Sequence, residues 1–377
     1  MNEGVDPDRR GGALKVAVIG AGIVGSSIAH RLSEDGAEVV LLDGAEPGSG
    51  TTSTSFAWVN ANNKLPREYF ELNLAGMREH GRLRDEIGGD WLHTSGNLIW
   101  AADEEQENLE KRVGRLRSWS YAAEKLPASI VNEMLEPGAT FPDPDLRIAH
   151  FPEESWTDAP ALTRALVGAA THNGARTLFG NAVCGIEVEG EGVMLQLEDG
   201  DALHADVVVN ATGAKAASVA EMVGRELPLD VFPGLLVRVA VSGEPLHHLM
   251  HTPRINVRPD GPGYVLLHHG SVDERLTDDF AGTEDPLCAE LLERARLVLP
   301  ALEEAVVVEA RLGMRPVPAD GHSCVGALSA IPGYYEAVTH SGVTLGPLIG
   351  RLLAREILTG EVDPLIAPFR PDRFATV

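Results

Sequence analysis

Lys15-Val16-Ala17-Val18-Ile19-Gly20-Ala21-Gly22-Ile23-Val24-Gly25-Ser26-Ser27-Ile28-Ala29, with Val39-Val40-Leu41-Leu42-Asp43 after it, is the stretch whose reading decides the fold. The apolar run before Gly20 suits a parallel strand buried on both faces, and Gly20 permits the tight turn out of it. Gly22 removes a side chain where a pyrophosphate must approach the backbone. Gly25 lets the next helix, expected over 23–35, pack closely on the strand, while the amides around Ile23 and Val24 face phosphate charge. Asp43 stands 18 residues beyond Gly25, at the end of a second strand, where a carboxylate accepts hydrogen bonds from ribose hydroxyls. No arginine follows it closely, which disfavours a 2′-phosphate. The unit commits the chain to an ADP-containing cofactor and leaves FAD and NAD open.

The rest of the chain bounds the reading. Its 377 residues, 44% hydrophobic, are enough for two domains or one elaborated α/β domain. A net charge of −25 argues against nucleic acid and anionic membrane surfaces as partners. Residues 1–12 are polar and read as a disordered tail without the apolar core of a secretory signal. No run approaches the length of a membrane helix, so the expected location is cytoplasmic. Cys184, Cys288 and Cys324 lack metal-ligand spacing, so no metal site is expected and the cysteines read as free thiols.

Beyond Asp43 comes a hydroxyl-rich loop, Gly48-Ser49-Gly50-Thr51-Thr52-Ser53-Thr54-Ser55, able to donate to phosphate or ribityl oxygens. Helical patterns follow over 66–87 and 103–124, and another starts at the N-cap candidate Asp158. A strand is expected over 181–188, alternation follows over 193–197, and 205–213 reads as a buried strand that returns to the nucleotide-binding sheet. Between 227 and 267, strands separated by Pro/Gly turns carry an antiparallel signature. A helix over 287–299, a strand over 305–312 and an apolar helix over 342–358 complete the pass.

Three separated stretches together resemble the D-amino-acid oxidase, glycine oxidase and sarcosine oxidase superfamily of FAD-dependent enzymes. They are the N-terminal fingerprint, Val208-Val209-Asn210-Ala211-Thr212-Gly213-Ala214, and Gly313-Met314-Arg315-Pro316-Val317-Pro318-Ala319-Asp320-Gly321 leading to Thr339-His340-Ser341-Gly342-Val343-Thr344-Leu345-Gly346-Pro347. The resemblance implies a mixed α/β fold. A Rossmann-type FAD-binding domain would come from 13–56, 150–225 and 318–377, and a largely antiparallel substrate domain from 57–149 and 226–317. It tips the cofactor to FAD. It places Gly20, Gly22, Ile23, Val24 and Gly25 at the pyrophosphate, Asp43 at the ribose, and Thr51, Thr52 and Ser53 at the phosphate or ribityl chain. Val183 falls beside adenine, with Ala211, Thr212 and Gly213 along the dinucleotide. Gly342, Val343, Thr344 and Leu345 form a helix start at the flavin's pyrimidine edge, where amides meet the negative charge of the reduced ring.

The resemblance also gives Arg315 a bidentate contact to a substrate carboxylate. A structural salt bridge is the competing reading in a chain with 56 acidic residues. Among His247, His248, His251, His268 and His269, a neutral imidazole over the flavin is suited to accept an amine proton, with His251 and His269 as candidates. Trp58, Asn60 and Asn62 follow the hydroxyl loop and read equally as ring contacts or packing, and Arg258 reads as structural. Some relatives attach the flavin through a histidine at the position of Thr54, others through a cysteine at that of Gly313. Neither nucleophile is present, so FAD is expected to bind non-covalently.

The expected reaction is oxidation of the C–N bond of an amino acid or N-substituted amino acid by hydride transfer to flavin N5. The imine is then hydrolysed, and O2 or another acceptor takes the electrons. A D-amino-acid dehydrogenase, an oxidase of a cyclic or N-hydroxy amine, and a non-catalytic FAD-binding protein are the alternatives.

Overall fold

In the computed structural model, which describes residues 12–190 and 192–374, the run before Gly20 becomes the strand Lys15–Ile19, all of it buried beyond Lys15. The tail read over 1–12 lies outside the described residues except for Gly12. Lys15–Ile19 runs parallel to Glu38–Asp43 on one side and to Val207–Asn210 on the other. The six-stranded sheet continues outward to Tyr334–Val338 and Cys324–Ala327 at one edge and to Arg176–Phe179 at the other. Only the Cys324–Ala327 edge is antiparallel. Arg176–Phe179 is a strand absent from the sequence reading, which expected only the next one, over 181–188. That segment, Val183–Glu189, instead heads a separate antiparallel sheet with Gly192–Leu197 and Ala202–Ala205.

Two helices lie across the first sheet with almost no space between them. A Cβ on Gly350 of the helix Gly342–Thr359 would stand 2.6 Å from the Ser27 backbone carbon of the helix Ile23–Glu34. A Cβ on Gly25 would stand 1.8 Å from the Gly20 carbonyl oxygen. Glycine at these places lets the backbones meet, so both helix N-termini reach the same side of the sheet. Ile28, Leu32, Leu345, Leu348, Ile349 and Leu352 fill the shared core.

A second sheet has eight strands, in the order Val306–Pro318, Leu229–Ala240, Tyr264–His268, Asn256–Pro259, Leu249–His251, Asn97–Ile99, Arg147–Phe151 and Glu124–Pro127. Every neighbouring pair is antiparallel except Leu249–His251 with Asn97–Ile99. Leu291, Leu292 and Ala295 of the helix Pro286–Arg296 pack against its Val237, Val257 and Leu267. The helix expected over 103–124 is shorter: a turn at Asp103–Glu105 leads into Gln106–Ser118. It ends because Ser120 takes a left-handed backbone, φ 61°, which an α-helix does not accommodate. Among the described residues no helix is long and apolar enough to cross a membrane.

Candidate active site

A cavity of about 760 Å³ runs from the Gly20 turn to the Arg315 strand. At its first end the wall is mostly backbone. Gly20 has φ +105°, and a side chain there would meet the Ala211 carbonyl oxygen at 2.5 Å. Thr52 Oγ1 accepts the Ile23 N–H at 3.1 Å. A Cβ on Gly22 would come within 3.2 Å of that same oxygen. Asp43 holds its place at the strand end by accepting the Ala21 N–H on Oδ2 at 2.7 Å and the Ala45 N–H on Oδ1 at 2.9 Å. Thr51 donates to the Met314 carbonyl at 2.7 Å, tying the hydroxyl loop to the strand that carries Arg315.

Ile23, Val24, Ala211, Thr212 and Gly213 line this part, and Gly342, Val343 and Thr344 line the far side. The first-turn amides of the helix Gly342–Thr359 receive no cap from Ser341, whose Oγ is engaged by Lys64 Nζ at 2.9 Å and Tyr69 Oη at 3.1 Å. A turn that only glycine adopts, a helix start entered through Gly22, an acid at the strand end and a second helix start without a side-chain cap suit pyrophosphate, ribose and flavin. The residues present fit FAD. Four of the positions predicted for the cofactor do not line the cavity: Gly25, Ser53, Val183 and Leu345. Gly25 and Leu345 are packing positions, Ser53 bonds back to its own loop at Ser49 and Gly50, and Val183 packs beside Leu42 and Val208.

At the other end the wall is side chains. Arg315 lines the cavity, but its Nη2 is spent on the Pro233 carbonyl at 2.7 Å and on Asp273 Oδ2 at 2.9 Å. Its Nε is buried without a partner, and a Cβ on Gly234 would touch the guanidinium at 3.1 Å. Both bidentate faces of a guanidinium use Nη2, so the fork implied for a substrate carboxylate is closed here and Nη1 is what remains. Both readings of Arg315 therefore meet at one residue. Asp273 also accepts the Leu235 N–H at 2.8 Å and contacts His268 Nε2 at 3.0 Å. Despite its burial these three partners hold the Asp273 carboxyl below its usual range.

His251 lines the cavity beside Trp58, with ring centroids 4.1 Å apart, and its Nδ1 lies 2.9 Å from Asn97 Oδ1. Burial, reinforced by His268 and Arg112, pushes it down to about 3, so it is neutral. Behind it, fully buried Glu154 accepts from Trp58 Nε1, Asn97 Nδ2, Asn62 Nδ2 and Tyr121 Oη. Desolvation outweighs those four donors and raises Glu154 to about 7. Lys64 and Arg315 are the only lysine or arginine side chains among the lining residues. Burial lowers Lys64, and burial together with these two cations lowers His340, also on the wall, to about 4.

His268, not His269, reaches the cavity. The two are adjacent, His268 ends the strand Tyr264–His268, and His269 turns away to accept the Ser271 N–H at the start of a short helix. His247 and His248 give their amides to buried Glu136. Arg258 is buried against Asp260 and the Trp156 ring. Asn60 lines the wall, whereas Asn62 lies beneath it on Glu154. Thr54 and Gly313 face each other: a Cβ at 313 would stand 2.7 Å from the Thr54 carbonyl oxygen, leaving no room for a side chain. Lys64, Asn97, Glu154, Asp273 and His340 were not singled out from the sequence. Among the described residues no cluster of three or more His, Cys, Asp or Glu side chains is placed to hold a metal.

Comparison with known proteins agrees with this architecture. The family model described as FAD dependent oxidoreductase, DAO, matches residues 15–356. The oxidoreductase YurR of Bacillus subtilis is 25% identical over 391 residues, covering 94% of this chain and 97% of its own. One of the opine oxidase chains of Agrobacterium tumefaciens is 27% identical, covering 96% of this chain and 98% of its own. The solved glycine oxidase of Geobacillus kaustophilus superposes with a TM-score of 0.87 at 24% identity, over 97% of this chain and all of that one. The chain belongs to the DAO family of FAD-dependent oxidoreductases and is a flavoenzyme whose cofactor is FAD.

Proposed function

We propose that this enzyme oxidises the C–N bond of a carboxylated amine, an amino acid or N-substituted amino acid, and that FAD is held without a covalent link. Two cations, Arg315 and Lys64, line one cavity with neutral His251, and that observation carries the reading. Relatives whose names specify glycine and opines as substrates support it. The division into an FAD domain from 13–56, 150–225 and 318–377 and a substrate domain from 57–149 and 226–317 follows as part of the same proposal.

Gly20, Gly22, Ile23, Val24 and Thr52 would hold the pyrophosphate, Asp43 the ribose, and the amides of Gly342, Val343 and Thr344 the flavin's pyrimidine edge. Bound there, FAD supplies the acceptor for the hydride that leaves the substrate's α-carbon. Arg315 Nη1, kept in place by Asp273 and Pro233, contacts the carboxylate and fixes which C–H bond points at the ring. Trp58 and Phe56 line the same cavity beside His251 and would shield the reacting bond from water. The resulting imine is hydrolysed after release.

An anaerobic bleaching screen of the holoenzyme with D-, L- and N-methyl amino acids, each paired with its decarboxylated amine, tests this. At least one carboxylated member is expected to bleach the flavin while its decarboxylated partner does not. Equal bleaching by both, or by neither across the panel, would contradict the reading.

A further inference from the structure

We propose that Glu154, acting through Asn97, fixes the tautomer of His251 so that an unprotonated Nε2 faces the cavity and accepts a hydrogen bond from the substrate's nitrogen. The substrate half rests on the function proposed above, and the tautomer half does not.

Trp58 Nε1 donates to Glu154 Oε2 at 2.8 Å, and an indole N–H can only donate. Asn97 Nδ2 meets the same oxygen at 2.8 Å. Oε1 has the adaptable partners, the Tyr121 hydroxyl at 2.9 Å and the Asn62 amide at 3.0 Å. If Glu154 takes up a proton, Oε1 is where it fits. The Tyr121 hydroxyl can rotate, or the Asn62 amide can flip and bring round an Oδ1 that is now buried without a partner. Oε2 stays an acceptor in either protonation state, so Asn97 keeps its NH2 turned to Glu154 and its Oδ1 turned to His251.

Asn97 is fully buried, and its Oδ1 lies 2.9 Å from His251 Nδ1. A carbonyl oxygen only accepts, so Nδ1 carries the hydrogen. A neutral imidazole protonated on Nδ1 leaves Nε2 as a lone pair. Nε2 has no hydrogen-bond partner among the described residues, and the ring is on the cavity wall. His251 at about 3 is far too weak a base to keep the proton of an aliphatic amine, whose pKa is about 8 to 10. Its role is therefore to orient an N–H, and the preferred substrates are primary or secondary amines. His251 contacts the substrate, while Asn97 and Glu154 are positioning residues behind it.

Heteronuclear spectra of the holoenzyme with nitrogen-labelled histidines test the tautomer, with His251 assigned by signals lost in His251→Gln. Protonated Nδ1 and bare Nε2 are expected at neutral pH. Glu154→Gln is expected to keep that pattern, because the new amide NH2 replaces Oε1 and leaves an acceptor for Trp58 and Asn97. Asn97→Leu and Glu154→Leu are expected to lose it, with KM for the amine rising about tenfold, the scale of one lost hydrogen bond, and kcat moving less. A protonated Nε2 in the unaltered protein, or an unchanged pattern in Asn97→Leu, would overturn the relay. The expected tautomer with an unmoved KM in Asn97→Leu would overturn the substrate contact. If the leucine variants do not fold, the spectra of the unaltered protein and of Glu154→Gln decide. The spectrum stays readable even if no amine bleaches the flavin, so failure of the function and failure of the relay are distinguishable.

Discussion

At the Gly20–Asp43 end of the cavity the wall is mostly glycine and backbone, with Asp43 and Thr52 tied to backbone amides, whereas at the Arg315 end it is side chains held by other side chains. The first end is local: a strand, a turn and a helix start within thirty residues bring it together, with Thr52 and Asp43 locking it. The second joins Arg315 to Asp273, His268, and the run from His251 through Asn97 to Glu154, residues supplied by strands and loops far apart in sequence. A backbone site fails when space is filled. A side-chain site fails when one partner's chemistry changes.

The largest effect is expected where space is shortest. Gly25→Val places a branched side chain against the Gly20 carbonyl oxygen, where even a Cβ would stand at 1.8 Å. We expect a loss of about 3 kcal/mol or more in stability, with FAD released, read by thermal unfolding and by flavin fluorescence in the filtrate. Retained FAD with an unchanged melting temperature would break the comparison at its first side.

The second effect is electrostatic. Glu154 sits at about 7 in the folded chain against an ordinary 4.5, so the folded state binds more protons between those values and loses stability as pH rises through them. The shift corresponds to about 3 kcal/mol. His251, His80 and His340, lowered to about 3, 4 and 4, act oppositely, costing stability as pH falls below about 6.5. In Glu154→Gln the stability relative to the parent should therefore rise by about 3 kcal/mol between about pH 4 and pH 8, measured by urea unfolding. A difference that does not vary with pH would show that Glu154 does not titrate in this range.

The smallest effect is expected at Asp43. Because the amides of Ala21 and Ala45 stay in place when its carboxylate is removed, Asp43→Ala should weaken FAD binding about tenfold rather than abolish it. Equilibrium dialysis of the apoprotein reads this directly. An affinity equal to the parent's would remove Asp43 from the ribose.

The same contrast governs what the sequence made legible. The fingerprint, the strand ending at Asn210 and the helix opening at Gly342 are encoded by local periodicity and by glycines that only a turn or close approach explains. The packing of the two helices through Gly346 and Gly350 went unread, since a glycine inside a helix does not name its partner. Arg176–Phe179 was missed because four residues beside a Gly turn carry too little alternation. His268 and His269 are adjacent at a strand end, and that single step exchanges the cavity for a helix-capping contact with Ser271, which no local pattern announces. Nothing local to Arg315 announces that Asp273 occupies its fork, and nothing near Glu154 announces four donors, because the partners come from elements far apart in sequence: Asp273 from a short helix, and Trp58, Asn62, Asn97 and Tyr121 from two sheets and the loops between them.

The most direct measurement is an anaerobic titration of Arg315→Ala holoenzyme with a carboxylated amine that bleaches the parent. The resting flavin spectrum is expected to be unchanged and KM to rise about 100-fold, the loss of one charge-assisted contact worth about 3 kcal/mol. Arg315→Lys should preserve the pairing with Asp273 yet recover little of that loss. An unchanged KM in Arg315→Ala, with FAD still bound, would contradict the carboxylate contact.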